Sequence, residues 1–214
     1  MSLTTELTEI KNRFLAKAPE EVIESVTKAT NELLEAGVGS GLKVGDKAPN
    51  FTLPNTRGES VQLFDELKKG KVVLSFYRGG WCPYCNLELR AYQSMIEEIH
   101  EGGATVLAIS PQKIDESLMT EEKNELSFHV LSDEDYTVIK DYKLYFEFPD
   151  HLVQTYSEKF SLDLSKYNGS ENPWSLPVPG TLIIDQDGTI LKSYANVNYM
   201  ERLDPQEVLA YLTK

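Results

Sequence analysis

The two cysteines of this chain, Cys82 and Cys85, stand three residues apart in the stretch Trp-Cys-Pro-Tyr-Cys, and this spacing constrains both the fold and the chemistry. Residues 72–77, just before it, are mostly β-branched and aromatic, which is typical of a strand buried on both faces. Pro83 is of the residue type preferred at the first position of a helix, and apolar side chains recur near helical spacing after it. The sequence therefore predicts a buried strand followed by a helix over 83–100, with Cys82 at the entrance of that helix.

A cysteine at a helix entrance is suited to act as a nucleophile. The free N–H groups and partial positive charge of a helix N-terminus favour an anion, and Cys-X-X-Cys thiols there have pKa values lowered to roughly 3.5 to 7.5. Cys85 lies one helical turn deeper on the same face, where it can close a disulfide with Cys82. We therefore expect Cys82 to attack a substrate disulfide and Cys85 to resolve the mixed disulfide. Arg78 either holds Cys82 as a thiolate or is a cation at the edge of the core, and the sequence leaves both roles open.

A purely structural role and a zinc site are two alternatives to a redox role for the cysteine pair, and both explain the sequence less well than the redox role does. Free cysteine often behaves as a small buried hydrophobe, but this does not explain a Trp-Cys-Pro-Tyr-Cys string between a strand and a helix. A zinc site needs two further ligands, and the three histidines of the chain, His100, His129 and His151, are not paired at ligand spacing. We therefore expect no metal site.

The charge of the chain limits its partners. Its 214 residues carry a formal net charge of −13 and a pI near 4.7, which argues against nucleic acid or an anionic membrane as a partner. No stretch approaches the length of about 18 apolar residues that spans a bilayer, and the polar, acidic N-terminus is unlike a signal peptide. We therefore expect a cytoplasmic protein, and in that compartment a lone Cys-X-X-Cys pair is catalytic or metal-binding more often than structural.

The chain divides into two parts of different pattern. Residues 1–40 form a predicted helical extension, because apolar residues recur there at intervals of three and four, interrupted at Ala18-Pro19. This extension either covers the core or mediates dimer formation. A glycine-rich connection over 37–45 leads into residues 41–214, where strand-like and helix-like segments alternate, as they do in a sheet covered by helices on both sides.

The elements of the second part follow from turn signals and hydrophobic periodicity. The predicted elements are a hairpin over 50–62, strands at 72–77, 104–110 and 128–131, helices at 83–100, 114–125 and 134–145, a hairpin of 181–184 with 190–194 around Asp187-Gly188, and a last helix capped by Asp204. The segment 147–175 is polar, rich in aromatic residues and too long for an ordinary connection. It is either a structural cover or a loop that shapes the substrate site.

The stretch Trp81 to Cys85 resembles the redox centre of the thioredoxin superfamily, and its Cys-Pro-Tyr-Cys is the tetrapeptide of glutaredoxins. Residues 44–77 and 179–190 are similar to the peroxiredoxins of the AhpC/TSA family. The resemblance implies an α/β protein with the peroxiredoxin type of thioredoxin-like fold over 41–214, in which a central mixed sheet is flanked by helices. It also implies an antioxidant thiol enzyme that needs no cofactor beyond a redox-active disulfide between its two cysteines.

The peroxidatic motif of peroxiredoxins, P-x-x-x-T/S-x-x-C, falls on residues 78–85. Cys85 takes the place of the peroxidatic cysteine, Cys82 that of the threonine and Arg78 that of the proline. The arginine that members of the family carry before a later strand is replaced by Pro179. Since the threonine and the arginine position the peroxide in the family, this chain departs from the motif at both of these places.

Other positions resemble thioredoxins. Pro179 lies where thioredoxins place a cis-proline beside the disulfide, so the resemblance implies a cis Val178–Pro179 bond. The buried aspartate of thioredoxins is Phe76 here, which leaves the base that accepts the resolving proton unassigned. The substrate site implied around the cysteines consists of Arg78, Trp81, Pro83, Tyr84, Val178 and Pro179.

Three functional hypotheses follow. The first is a thiol-disulfide oxidoreductase with Cys82 as nucleophile and Cys85 as resolving thiol, acting on a protein or small-molecule disulfide. The alternative is a thiol-dependent peroxidase in which peroxide oxidises Cys85 to a sulfenic acid and Cys82 condenses with it. Both need a thiol reductant system, and a homodimer is left open. The third is a non-enzymatic redox sensor or binding protein, which a Cys82 that resists alkylation would favour.

Overall fold

The computed structural model describes residues 2–169 and 172–212. Its strands are β1 (Thr52–Pro54), β2 (Ser60–Gln62), β3 (Lys71–Phe76), β4 (Ala104–Ser110), β5 (His129–Ser132), β6 (Tyr145–Glu147), β7 (Ser175–Pro177), β8 (Gly180–Ile184) and β9 (Ile190–Ala195). Its helices are α1 (Leu3–Lys17), α2 (Glu20–Glu35), α3 (Leu63–Leu67), α4 (Pro83–Ser94), α5 (Ile96–Glu101), α6 (Ile114–Lys123), α7 (Thr137–Asp141), α8 (Asp150–Gln154) and α9 (Pro205–Leu212). A π-helical turn, Thr155–Lys159, and a 3-10 turn, Leu164–Lys166, lie between α8 and β7. None of the helices in these ranges has the length and hydropathy needed to cross a membrane.

The central sheet has five strands in the order β5-β4-β3-β8-β9. Strands β3 and β5 run parallel to β4, whereas β8 runs antiparallel to both β3 and β9. Strand β3 lies in the middle, and its residues Val72 to Phe76 are fully buried, as their largely apolar run predicts. The predicted α/β architecture, a central mixed sheet flanked by helices, is confirmed. The carboxyl end of this buried strand leads directly to the cysteine pair.

The first two helices pack onto the rest of the chain. Covering the core is one of the two roles predicted for them from the sequence. Helix α1 contacts α4 and buries Leu3 and Leu7. Helix α2 buries Val22 and Val26 and contacts both α8 and the π-helical turn. The break between them falls at Ala18, whose backbone is extended because a following proline disfavours helical backbone in the residue before it.

Two predicted helices have wrong boundaries. The predicted helix over 83–100 is two helices, because α4 closes with a tighter bond from the Met95 N–H to the Tyr92 carbonyl (3.1 Å) and α5 then begins anew. The predicted helix over 134–145 shrinks to α7, since Tyr136 and Lys143 have left-handed backbone (φ 61° and 57°) and interrupt a right-handed helix. The other predicted strands and helices form at the expected places.

The long segment 147–175 is folded over its described residues, and residues 170 and 171 lie outside the described ranges. Its ends are joined by the antiparallel pair β6 and β7, in which Phe146 is opposite Leu176. Between these strands the chain forms α8 and the π-helical turn, a rare geometry found frequently at functional sites. The turn carries Tyr156, which is buried and bonded to Arg78. The segment therefore reaches the surroundings of the cysteines.

Candidate active site

Cys82 begins the helix that follows the central strand, as the sequence predicts. It is the N-cap of α4, with extended backbone (φ −87°, ψ 118°), and Pro83 occupies the first helical position. Gly79 permits the preceding turn, because its φ is 149° and a Cβ there would lie only 2.4 Å from Nε1 of Trp81. The Cys82 N–H donates to the Gly79 carbonyl at 3.1 Å. The turn thus fixes Cys82 at a helix N-terminus, where an anion is stabilised.

The two sulfur atoms lie side by side inside the protein. Both thiols are free, and both residues are buried, with 1% of Cys82 and 0% of Cys85 exposed. Each of the two thiols shifts the pKa of the other, as neighbouring groups do. The backbone N–H of Arg78 lies 3.4 Å from the Cys85 sulfur and holds it in place. Two neighbouring thiols are the arrangement from which an intramolecular disulfide can form.

Arg78 is a buried cation, and no carboxylate in the described parts of the chain balances its charge. Only 2% of the residue is exposed, and no acidic side chain in residues 2–169 and 172–212 forms an ion pair with it. Its Nη2 donates to Tyr156 Oη at 2.6 Å, and its Nη1 lies 4.0 Å from the Cys82 sulfur. The rings around its guanidinium are those of Trp81, Phe148, Tyr156 and Tyr199. Because a buried charge needs an opposite charge, the geometry favours Arg78 as the counter-ion of a Cys82 thiolate.

A second arginine reaches the other sulfur, and its charge is already balanced. Arg202 lies between β9 and α9; its Nη2 is 3.5 Å from the Cys85 sulfur, and its Nε donates to Glu88 Oε2 at 2.7 Å. Both side chains of this ion pair are almost fully buried. Burial raises the pKa of Glu88 to about 7, although the positive charge of Arg202 acts to lower it. Cys85 therefore faces an arginine that is bonded to a carboxyl group, whereas Cys82 faces an arginine with no such partner in the described residues.

The pKa values of the two thiols are shifted in opposite directions. Burial acts to raise the pKa of Cys82, but the hydrogen bond from Cys85 and the positive charges of Arg78 and Arg202 together lower it from 9.0 to about 6. Burial raises the pKa of Cys85, and its hydrogen bond to Cys82 and the negative charge there raise it further, well above its ordinary value. At neutral pH the pair therefore holds a thiolate on Cys82 and a thiol on Cys85.

Cys82 lines a cavity of about 280 Å³, and Cys85 does not. The lining residues are Phe14, Arg78, Trp81, Cys82, Pro83, Tyr84, Tyr156, Phe160, Leu162 and Tyr199. Most of these side chains are aromatic or aliphatic, and the cation of Arg78 lies beside the sulfur. The residues of the predicted substrate site that line this cavity are Arg78, Trp81, Pro83 and Tyr84.

Val178 and Pro179 do not line this cavity, and the predicted cis bond between them is wrong. Every peptide bond within the described ranges is trans. The Val178 N–H donates to the Leu144 carbonyl at 2.7 Å, and its side chain occupies the space where Gly39 lacks a Cβ. Pro179 lines a separate, small cavity that it shares with Arg78. These contacts hold the connection between β7 and β8 in place outside the cavity at Cys82.

Several residues of the site were not identified from the sequence. Phe14, Tyr199 and Arg202 are far from the cysteines along the chain, and no motif marks them. Glu88 carries a signal, since it lies three residues after the second cysteine and therefore on the same face of the helix. The aromatic content of 147–175 is a weaker signal, because this segment supplies rings to the cavity.

Alkylation of the reduced, native protein should follow the titration of a thiolate with a pKa of about 6. Since the pKa of Cys82 is lowered from 9.0, the rate with iodoacetamide should fall about tenfold per pH unit below about pH 6 and level off above it. The measurement is the rate of single alkylation by intact mass over about pH 4 to 9. Urea-unfolded protein is the control, and its rate should keep rising to about pH 9. A native rate that still rises above neutral pH contradicts the assignment, and native thiols that resist alkylation at every pH favour the binding-protein hypothesis.

A thioredoxin-type sheet with a Cys-X-X-Cys pair at the start of the helix after its central strand defines a thiol-based redox enzyme. The model of the AhpC/TSA family matches residues 44–193. This chain therefore belongs to the AhpC/TSA family, whose members are peroxiredoxin-like antioxidant enzymes.

Relatives and solved structures agree with this membership. The chain is 33% identical over 149 residues to "Putative peroxiredoxin bcp" of Coxiella burnetii (strain RSA 493 / Nine Mile phase I), which covers 70% of this chain and 85% of that protein. It is 35% identical over 106 residues to Peroxiredoxin Bcp of Escherichia coli (strain K12), which covers 50% of this chain and 67% of that protein. Its fold is similar to that of peroxidoxin BcpB from Mycobacterium tuberculosis, with a TM-score of 0.62 and 22% identity over 80% of this chain and 96% of that chain. The predicted thioredoxin-like fold of the peroxiredoxin type is confirmed.

Part of the site lies outside the region that the family model matches. Phe14 precedes residues 44–193, and Tyr199 and Arg202 follow them. The cavity at Cys82 and the ion pair beside the second sulfur are therefore completed by flanking segments of this chain.

Proposed function

We propose that this protein is a thiol-dependent peroxidase in which Cys82 reduces the peroxide and Cys85 resolves the oxidised product. Membership of the AhpC/TSA family and the names of the relatives support peroxidase chemistry. The observation that carries the assignment of the sulfurs is the unbalanced charge of Arg78, which lies 4.0 Å from Cys82. This charge stabilises the thiolate, which is the form of cysteine that attacks.

The reaction proceeds in two steps. The Cys82 thiolate attacks the terminal oxygen of a hydroperoxide, the O–O bond breaks, and the leaving alkoxide takes a proton from solvent to give an alcohol, or water where the substrate is hydrogen peroxide. The Cys85 thiol then attacks the sulfenic sulfur, and its proton leaves with the hydroxyl group as water while the disulfide forms. The two thiols supply the two electrons that reduce the peroxide, so no cofactor takes part. An external thiol reductant returns the disulfide to the dithiol.

The first step prepares the second. After burial, the causes that raise the pKa of Cys85 are its hydrogen bond to Cys82 and the negative charge on that sulfur. Oxidation of Cys82 to a neutral sulfenic acid removes that charge, so the pKa of Cys85 falls and its thiolate becomes accessible. Arg202, held by Glu88, lies 3.5 Å from the Cys85 sulfur and stabilises its negative charge. Arg202 and Glu88 therefore act as positioning residues for the resolving thiol.

This assignment exchanges the roles that the family motif implies. Alignment with the motif puts Cys85 at the peroxidatic position and Cys82 at the threonine position. Cys82 has a lowered pKa and lines the cavity, whereas Cys85 has a raised pKa and does not line it. A peroxide that enters the cavity meets Cys82 first.

A thiol-disulfide oxidoreductase is the second candidate. The low pKa of Cys82 at a helix N-terminus favours it, because disulfide exchange also begins with a thiolate. A protein disulfide would have to contact a residue that is only 1% exposed. This candidate is therefore restricted to small disulfides that enter the cavity.

The proposed cycle also bears on partners and location. Its substrates are a peroxide and a thiol reductant, because each turnover ends with a disulfide that must be reduced. Thiol reductant systems keep the cytoplasm reducing, which supports the cytoplasmic location expected from the sequence. A homodimer stays a prediction.

Peroxide consumption by the purified protein tests the proposal. With dithiothreitol as donor, the protein should consume hydrogen peroxide or cumene hydroperoxide catalytically, and one equivalent of peroxide without donor should convert the two thiols into an intramolecular disulfide. The double variant Cys82→Ser with Cys85→Ser is the control for reaction elsewhere in the chain. If no peroxide is consumed while a small disulfide such as oxidised glutathione is reduced catalytically, the oxidoreductase candidate is correct instead.

A further inference from the structure

We infer that Phe14 of the N-terminal extension is a specificity-determining residue, which closes the cavity at Cys82 around the apolar part of a bulky organic hydroperoxide. This inference rests on the proposed peroxidase function and adds to it a residue that determines which hydroperoxides the cavity prefers. Phe14 belongs to α1 and lies outside residues 44–193, so the family match assigns it no role. It nevertheless lines the same cavity as the reactive sulfur.

A chain of aromatic contacts leads from α1 to the cation at the sulfur. The ring of Phe14 meets that of Phe160 edge-on, with centroids 6.5 Å apart, and Phe160 meets Tyr156 edge-on at 5.1 Å. Tyr156 in turn accepts a hydrogen bond from Arg78 at 2.6 Å. Phe14, Phe160 and Tyr156 therefore form one side of the cavity. Phe14 lies at one end of this row, and Tyr156 at the other end is bonded to Arg78, the counter-ion of Cys82.

Helix α1 is held in place against the segment that follows β9. Lys11 Nζ lies 3.4 Å from Glu201 Oε1, and Thr4 Oγ1 donates to Asp204 Oδ2 at 3.3 Å. The same helix also buries Leu3. Phe14 is therefore presented to the cavity by an anchored helix.

The chemistry of the lining indicates what fills the cavity. The polar end is formed by the Cys82 sulfur and the Arg78 guanidinium, which suit the two oxygens of a hydroperoxide. The rest of the lining is aromatic or aliphatic. A water molecule takes up about 30 Å³ of liquid, so hydrogen peroxide would leave most of the 280 Å³ unfilled. An aryl or branched alkyl group on the peroxide would exclude this water and bury apolar surface against Phe14.

Kinetics of Phe14→Ala with two peroxides test the inference. We expect the ratio of kcat/KM for cumene hydroperoxide to that for hydrogen peroxide to fall about tenfold, mainly through a higher KM for the bulky substrate, since one wall of an apolar site is removed. Phe14→Leu, which keeps an apolar side chain, should lose less. The matched control is Leu15→Ala, because Leu15 is the next residue of α1, is 45% exposed and does not line the cavity, so the ratio should stay at the wild-type value. An unchanged ratio in Phe14→Ala overturns the inference.

A binding measurement separates failure of this inference from failure of the proposed function. Cumyl alcohol is the product of cumene hydroperoxide and contains no O–O bond, and the protein has two tryptophans, of which Trp81 lines the cavity. In a Trp174→Phe background, titration with cumyl alcohol should change the fluorescence of Trp81, and adding Phe14→Ala should weaken binding about tenfold. If this weakening occurs while no peroxide is reduced, the peroxidase proposal fails but the binding role of Phe14 holds. If cumyl alcohol does not bind, or binds equally well to both proteins, Phe14 does not determine specificity.

Discussion

Replacing Cys82 by serine should lower the rate of peroxide reduction by about a thousandfold or more, because a serine hydroxyl does not ionise near neutral pH and cannot attack the peroxide oxygen. Replacing Cys85 by serine should instead leave the first reaction in place. Without an external thiol, the Cys85→Ser protein is expected to consume one equivalent of peroxide rapidly and then stop, since the Cys82 sulfenic acid has no neighbouring thiol to condense with. The two variants therefore differ in the first turnover as well as in the steady state.

The measurement is a stopped reaction of each reduced variant with one equivalent of peroxide, followed by dimedone, which reacts with sulfenic acids. Labelling should occur on Cys82 in Cys85→Ser and should be absent in Cys82→Ser. The converse pattern, with labelling on Cys85 and a rapid first turnover in Cys82→Ser, would restore the assignment implied by the family motif. Catalytic activity retained in both single variants would remove the cysteine pair from the mechanism altogether.

The sequence predicts the centre of the fold because its signals there are local. A buried run over 72–77, two glycines, a Cys-X-X-Cys pair and a proline at a helix start act within a few residues of one another, so they place Cys82 correctly. The strand at 104–110 and the hairpin around Asp187-Gly188 are predicted for the same reason.

The rest of the site could not be predicted, because it depends on contacts between distant segments. Arg202 lies close to Cys85 because of the path that the chain takes after β9. Phe14 lies at the cavity because α1 packs on α4. The π-helical turn that presents Tyr156 has no recognisable sequence pattern. The resemblance to thioredoxins implies a cis Val178–Pro179 bond, and the trans bond reflects local contacts that the resemblance does not contain.

The charges around the sulfurs show why these distant residues matter for function. Burial alone would raise the pKa of both thiols, and the helix N-terminus is shared by the pair. Two features distinguish them. The hydrogen bond between the thiols lowers the pKa of Cys82 and raises that of Cys85. In addition, Arg202 is paired with Glu88, whereas Arg78 has no acidic partner within the described ranges. The motif alone does not contain this difference, so it does not identify the sulfur that reacts first.

Replacing Arg78 by methionine should therefore raise the pKa of Cys82 and slow the peroxide reaction at neutral pH by up to about a hundredfold. A full return of the pKa from about 6 to its ordinary value of 9.0 would lower the thiolate fraction at neutral pH from about nine-tenths to about one-hundredth. This is the upper limit of the effect, because the hydrogen bond from Cys85 and the charge of Arg202 remain in the variant. Methionine has a similar length and packs favourably against aromatic rings. Cys82 can take up a proton once its counter-ion is removed, so no unpaired buried charge is left and the variant is expected to fold. The midpoint of thiolate formation, followed by ultraviolet absorbance, and the pH dependence of the rate both measure the effect.

Arg78→Lys is the matched variant, because it keeps a positive charge but replaces the planar fork that bonds to Tyr156 with a single ammonium group. It should retain a lowered pKa for Cys82 and lose less rate than Arg78→Met. The deficit of the methionine variant should also shrink above about pH 9, where its thiolate forms without help, since charge stabilisation of the thiolate then no longer limits the rate. If Arg78→Met keeps a midpoint near 6, the hydrogen bond from Cys85, the helix N-terminus and Arg202 suffice to stabilise the thiolate, and the counter-ion role assigned to Arg78 is wrong. If instead the midpoint rises but the deficit persists at high pH, Arg78 also acts on the oxygen atoms of the peroxide as the O–O bond breaks.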